Sequence, residues 1–201
     1  MPPRSPGSPV SFTIMERLLA FDAAARTWAT THHAAWLDFV MAALSLAGRA
    51  GLVWLVIAAT VAIRRPRTLP LVWQVVLVIL LAYVAVDLVL KPSIARARPF
   101  ETVLDARVVG SRPATYSFPS GHAASAIAGA FVTTLMAPRA RALLWALAVL
   151  IAASRIYVGV HYPLDVVAGA CVGWGVAVLV TGGRACYSQG SLEAAERSVA
   201  R

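Results

Sequence analysis

The chain has 201 residues, of which 59% are hydrophobic and 13% charged, about half the charged share of an ordinary soluble domain; its mean hydropathy is +0.73. That composition excludes a disordered chain and argues against a soluble enzyme. The net charge of +9 is compatible with nucleic acid, a membrane surface or an anionic ligand. Lysine is confined to Lys91 and no basic tract is present, so no nucleic-acid partner is expected. A membrane-spanning helix needs about 20 residues, which leaves room for roughly five or six spans and no separate soluble domain. The predicted fold class is therefore all-α: a polytopic helical membrane protein in the lipid bilayer.

In chain order, residues 1–10 hold four prolines and read as a disordered tail. Residues 11–33 mix Phe12, Leu18, Leu19, Phe21 and Trp28 with Glu16, Arg17, Asp22 and Arg26, the pattern of an amphipathic interfacial helix. His32 and His33 close it, most simply as interfacial histidines. Residues 34–183 form the membrane domain and 184–201 a cytoplasmic C-terminal tail.

Five apolar stretches make up the membrane domain: 34–63, 68–90, 123–137, 142–160 and 164–183. The first is interrupted at Gly48-Arg49-Ala50-Gly51, which predicts a short helix to about Leu46 followed by a span. Prolines 66, 92, 99, 113, 119, 138 and 163 fall at joints rather than deep in apolar cores. Cys171 and Cys186 offer neither a disulfide framework nor metal-ligand spacing.

Arg64, Arg65, Arg67, Arg139, Arg141 and Arg184 follow alternate spans, so the positive-inside rule places that side in the cytoplasm. The opposite side carries loops 91–121 and 155–163, yet these also hold Lys91, Arg96, Arg98, Arg107 and Arg112. Cations kept on the disfavoured side need another reason, and anion binding is one.

Three clusters fall on that side. Lys91 and Arg98 supply an ammonium point charge and a bidentate guanidinium, both suited to phosphate; Asp87, four residues before Lys91, reads as its ion-pair partner. Pro119-Ser120-Gly121-His122 opens the third span. Ser120 is an N-cap, Gly121 permits close backbone approach, and the free N–H groups of the helix start attract an anion. His122 stands there with a proton to give or take near neutrality. In the third cluster Arg155 precedes His161 and Asp165, which are four apart with Pro163 starting a helix. The carboxylate can hold one imidazole nitrogen and leave the other as a nucleophile or base. Carboxylates are too few for a two-metal centre, so no metal and no cofactor are expected.

Lys-x6-Arg-Pro, Pro-Ser-Gly-His and Ser-Arg-x5-His-x3-Asp, in that order over residues 91–165, resemble the three-part signature of the type 2 phosphatidic acid phosphatase (PAP2) superfamily. The resemblance implies a PAP2-like helical core and a lipid-phosphate substrate. It makes His161 the nucleophile, oriented by Asp165, with His122 protonating the leaving oxygen and then activating water. Lys91, Arg98, Ser120, Gly121 and Arg155 hold the phosphate oxygens. Choosing His161 over His122 as nucleophile comes from the resemblance; spacing leaves it open.

Gly169, Gly173 and Ala177 form a small-residue stripe suited to close helix packing. Trp54, Trp73, Trp145 and Trp174 read as packing or lipid-facing residues, and Tyr157 and Tyr162 flank the mouth at headgroup level. A transporter is the rival class, but intramembrane charge is scarce beyond Asp87 and no inverted repeat is visible; a soluble haloperoxidase-like enzyme conflicts with the hydropathy. The Ala/Arg-rich composition and lack of eukaryotic targeting signals point to a bacterial source. Among the family's bacterial substrates, undecaprenyl diphosphate is preferred to phosphatidic acid or phosphatidylglycerol phosphate. The expected location is the inner (plasma) membrane, with the active site facing outward and the oligomeric state open.

Overall fold

Side-chain caps start the helices that begin at Ile14, Gly121 and Pro163, and a proline or a left-handed residue follows the helix ends at Arg64, Ile94, Met136 and Thr181. In the computed structural model, which describes residues 13–102 and 107–182, nine helices and no strands are found among the described residues. They are α1 Ile14–Thr31, α2 Ala35–Ala47, α3 Leu52–Arg64, α4 Leu69–Tyr83, α5 Lys91–Ile94, α6 Pro99–Thr102, α7 Gly121–Met136, α8 Arg141–Tyr157 and α9 Pro163–Thr181. The tails 1–10 and 184–201 lie outside the described residues.

Thr13 starts α1 with a reciprocal capping box to Glu16. The expected interruption of the first apolar stretch is present. Between α2 and α3, Ala50 and Gly51 adopt left-handed backbone (φ 50° and 68°), and the chain bends by 53°. A side chain at Gly51 would run into Ile79 of α4 (Cβ 2.8 Å from its Cδ1), so glycine is required. Pro66 and Pro138 each open a single tight turn that leads into α4 and α8. At its far end α4 widens into a π-helical stretch, Val84–Leu90, before Lys91; such segments recur at functional sites.

Helix α7 is the axis of the bundle, packed by α3, α4, α8 and α9. Residues Ala123–Thr133 are all buried. Its small side chains make this possible: Trp54 of α3 lies flat on Gly129, and Gly169 and Gly173 of α9 rest on the main-chain carbonyls of Ser120 and Ala124. The small-residue stripe of α9 is thus a packing surface, as its spacing implies. Outward-facing Val56, Trp73, Leu88, Leu143, Val167 and Leu179 form an apolar exterior.

The segment Pro66–Thr102, helical except at residues 95–98, and the helices Pro138–Tyr157 and Pro163–Thr181 are long and apolar enough to cross a membrane, and the bent α2–α3 pair makes a fourth. Helix α7, with 16 residues, is about 24 Å long, against about 30 Å of hydrocarbon. It lies among the other helices rather than against lipid. The end of the π-helical stretch and the starts of α3, α7 and α9 meet the end of α8 at one end of the bundle, where the sequence clusters converge.

Candidate active site

Each mouth residue is delivered by a helix terminus. Pro163 begins α9, so the loop residue His161 sits just before it and Asp165 in its first turn. His161 is 2% exposed and Asp165 fully buried. The Asp165 carboxylate lies 3.4 Å from His161 Nδ1. Since an ionised carboxylate only accepts, Nδ1 carries the proton and Nε2 keeps its lone pair. That Nε2 faces Arg98, whose Nη1 stands 3.4 Å away. Burial above all pushes the His161 imidazole down to about 4; Arg98 and Arg155 push the same way, and the hydrogen bond to Asp165 opposes them. The ring is therefore neutral at physiological pH.

Arg98 is itself built into the wall. It donates to the carbonyls of Thr115 (2.5 Å), Val160 (2.8 Å) and Tyr116 (3.1 Å) and to the Thr115 hydroxyl (3.0 Å). Lys91 is 2.5 Å from Asp87, the ion pair its spacing implies. Asp87 also sits against Gly121, where a Cβ would lie 2.9 Å from its Oδ2. Ser120 caps α7, its hydroxyl accepting from the Ala123 N–H, while its own N–H donates to the Asp165 carbonyl (2.9 Å). His122, in the first turn of α7, lies near the cations Arg155 and Lys91 and the His161 ring. Arg155 donates to the Ser45 hydroxyl, and its buried Nε has no partner among the described residues. An unsatisfied buried donor of this kind is costly.

These side chains line a cavity of about 640 Å³. Lys91, Arg98, His122, Arg155 and His161 occupy its polar end, whereas Leu55, Val76, Ile79 and Leu80 of α3 and α4 form an apolar wall. The eight residues singled out from sequence are thus brought together: six touch the cavity or its rim, and Ser120 and Asp165 support it from behind.

The sequence reading missed three supporting residues. Arg96 donates to Asp165 Oδ1 (2.6 Å) and to Asp22 of α1 (2.7 Å), and its guanidinium lies over the Tyr162 ring. Asp22, 1% exposed, also accepts from the Leu164 N–H (2.9 Å). Ser117 donates to Asp165 Oδ2 (2.5 Å). Their signals were faint: Arg96 stands inside the first motif, and Asp22 interrupts an apolar helix face. One placement differs from expectation. Tyr157 is turned away from the mouth, its hydroxyl 2.7 Å from Asp38, and His33 packs against the same carboxylate at 2.7 Å. The half-buried Asp38 carboxylate gathers both and Arg107 (2.7 Å).

Residues 71–185 match the model of the PAP2 superfamily. The chain is 38% identical over 146 residues to an undecaprenyl-diphosphatase of Sulfolobus acidocaldarius, covering 69% of this chain and 66% of that protein. It is 41% identical over 91 residues to a lipid A 1-phosphatase of Rhizobium etli, covering 42% and 38%. The matches therefore span just under two thirds, or less, of these relatives' lengths. The crystal structure of a transmembrane PAP2 type phosphatidylglycerolphosphate phosphatase from Bacillus subtilis superposes with a TM-score of 0.64 at 26% identity, covering 84% of this chain and 86% of that one. Aquifex aeolicus LpxE superposes with a TM-score of 0.69 at 27% identity, covering 80% and 94%.

Proposed function

Because the chain belongs to the PAP2 superfamily, we propose that it is a multi-pass membrane phosphatase that hydrolyses a lipid phosphate or diphosphate through a phosphohistidine. The observation that carries this reading is the His161 ring, held at Nδ1 by Asp165 and open at Nε2 toward Arg98. A neutral imidazole whose Nδ1 proton is held and whose Nε2 keeps its lone pair becomes a ready nucleophile once a bound phosphate takes up the Arg98 guanidinium beside it.

In the first step His161 Nε2 bonds to phosphorus as the bond from phosphorus to the leaving oxygen breaks. The leaving oxygen takes a proton from His122. Arg98, Arg155 and Lys91 meet the charge that builds on the equatorial oxygens, together with the Gly121 N–H at the start of α7. Asp165 balances the imidazolium as it forms. In the second step His122 accepts a proton from water, the oxygen attacks phosphorus, and the P–Nε2 bond breaks to release phosphate. Both mouth carboxylates are already committed, Asp87 to Lys91 and Asp165 to Arg96 and His161, which supports charge stabilisation by cationic side chains without a metal.

The substrate reading is undecaprenyl diphosphate, taken to undecaprenyl phosphate. The Sulfolobus acidocaldarius relative supports it, as does a cavity that passes from cations to an apolar wall along which an isoprenyl tail can lie. The Bacillus subtilis neighbour favours phosphatidylglycerol phosphate as the second reading. The active site then faces the exterior or periplasm. A panel of undecaprenyl diphosphate, phosphatidic acid and phosphatidylglycerol phosphate in mixed micelles, scored by released phosphate, tests this. Highest kcat/KM on the diphosphate is expected. A tenfold preference for either monophosphate overturns the substrate, and no release from any of them overturns the phosphatase.

A further inference from the structure

A second cavity, of about 500 Å³, adjoins the catalytic one and shares Arg49, Pro113, His122 and Arg155 with it. Arg49 stands at the junction, where the apolar wall of Leu55 and Ile79 gives way to the polar chamber. Its place is forced by the backbone. Ala50 holds a left-handed conformation (φ 50°) that alanine adopts only at a cost, about 1–2 kcal/mol. Gly51 follows in the same region because Ile79 leaves no room for a side chain. Strain of this kind tends to persist where it orients something useful. Arg112 reaches into the second cavity from the loop before α7, with Phe100 beneath its guanidinium at 5.5 Å.

The charges around the two cavities divide unequally. Lys91 is matched by Asp87, and Arg96 by Asp22 and Asp165. Arg98 and Arg155 have no side-chain carboxylate salt-bridge partner among the described residues, and these two suffice for the roughly two negative charges of one phosphate monoester. Arg49 and Arg112 are exposed, and neither has a carboxylate partner among the described residues. Two further guanidiniums, Arg49 lining both cavities beside the apolar wall and Arg112 lining the second, exceed what a single phosphate requires.

We propose that Arg49 and Arg112 form a subsite for a second phosphate, the one that joins the reacting phosphate to the lipid, and so make the enzyme selective for diphosphates. This rests on the phosphatase reading above. The terminal phosphorus bonds to His161 Nε2, and its bond to the bridging oxygen breaks. The bridging oxygen departs on the inner phosphate as a lipid monophosphate, and water later releases the terminal phosphate from the histidine. Arg49 binds the inner phosphate from the side of the tail and Arg112 from the loop. The charge that develops on the leaving group is then met by two guanidiniums as well as by the His122 proton.

The test uses the full-length enzyme in detergent, with Arg49→Gln, Arg112→Gln and the double substitution. Two readouts are taken: kcat/KM on undecaprenyl diphosphate relative to phosphatidic acid, and inhibition constants for methylenediphosphonate and for orthophosphate. The expected result is that the double variant loses at least tenfold in the diphosphate-to-monophosphate ratio. Its methylenediphosphonate inhibition constant rises at least tenfold further than that for orthophosphate, and Arg49→Lys recovers part of both. Equal losses on both substrates, or an unmoved pair of ratios, overturn the subsite while leaving the phosphatase intact. A wild-type enzyme that releases no phosphate fails the underlying reading instead, and the inhibitor binding, followed by calorimetry, then judges the subsite alone.

Discussion

Asp22 of the first helix and Asp165 of the last share one guanidinium: Arg96 lies 2.7 Å from the former and 2.6 Å from the latter. The carboxylate that orients His161 is therefore itself oriented, by a residue held in turn from α1. Asp165 has no exposure to water, so its four donors, Arg96, Ser117, His161 and the Tyr162 N–H, are what keep it ionised and fixed.

Loss of that support should slow chemistry rather than weaken substrate binding. Arg96→Gln is expected to lower kcat by about tenfold to a hundredfold, the range seen when groups that orient a working ligand are removed. KM should change less than about threefold, and Arg96→Lys should restore part of kcat. Asp22→Asn should act in the same direction and more weakly. Steady-state kinetics on the purified variants, beside their melting temperatures, check this. A fall in melting temperature with kcat intact would assign the network to folding alone.

The roles proposed for the two histidines are separable by experiment. His161→Ala should abolish turnover by at least about a thousandfold, with no phosphoenzyme. His122→Ala should still form a phosphoenzyme slowly from a substrate with a good leaving group, because only proton delivery and water activation are lost. Rapid quench with a ³²P-labelled substrate reads both. Labelled protein from His161→Ala would sink the nucleophile assignment.

Much of this was legible in the sequence, for physical reasons. Helix starts could be read from Ser120 and Pro163, and the α2–α3 break from Gly48-Arg49-Ala50-Gly51, because caps and left-handed positions are local chemistry. The eight mouth residues were found because they stand in three ordered motifs at the ends of the predicted spans, which together resemble one family's signature. Arg96 escaped because its partners are 69 and 74 residues away, and no local pattern announces a long-range ion pair. Tyr157 was misplaced for a related reason: helical spacing gives its level along the bundle, not its direction, and Asp38 on α2 decided that.

The depressed titration of His161 has a stability consequence. The unfolded chain takes up this proton near pH 6.5, whereas the folded ring resists it down to about 4. Between those values the unfolded state binds more protons, so stability from this residue is present above about pH 6.5 and is lost as pH falls toward 4. The melting temperature in detergent should drop between pH 7 and pH 4.5, and His161→Gln should drop less. An equal slope in both proteins would show that the ring is not buried neutral.

Vanadate should inhibit competitively, and EDTA should not. Five-coordinate vanadate matches the geometry of phosphorus between His161 and the leaving oxygen, where Arg98 and Arg155 supply positive charge. Activity that disappears in EDTA and returns with Mg²⁺ would instead require a metal-bound substrate.

Gly121→Ala should damage the site without disturbing the core. A Cβ there would sit 2.9 Å from Asp87 Oδ2, so Asp87 must move, and Lys91 moves with it. The expected result is a rise in KM of several-fold or more, with a melting temperature within a few degrees of wild type. Gly173→Ala should do the reverse. Its Cβ meets the Ala124 carbonyl in the middle of the α7–α9 contact, so helix separation and lost stability come first. Unchanged KM in Gly121→Ala would show that Asp87 and Lys91 need not hold this arrangement.

The direction in which the mouth faces can be tested with two cysteines. Ala114 lies in the loop before α7, at the end of the bundle that holds the site, and Arg139 lies in the turn before α8 at the opposite end; both are exposed. The positive-inside rule predicts that the end carrying the arginines around Arg65 and Arg139 is cytoplasmic, so the catalytic end is expected to face outward, where the proposed lipid diphosphate would enter sideways with its tail still in the bilayer. In a background with Cys171 and Cys186 replaced, an impermeant thiol reagent on intact cells should label Ala114→Cys and spare Arg139→Cys. Membrane disruption should make the second reactive as well. The reverse pattern on intact cells would turn the enzyme over, placing its phosphate release in the cytoplasm and removing the case for recycling a carrier from the outer face.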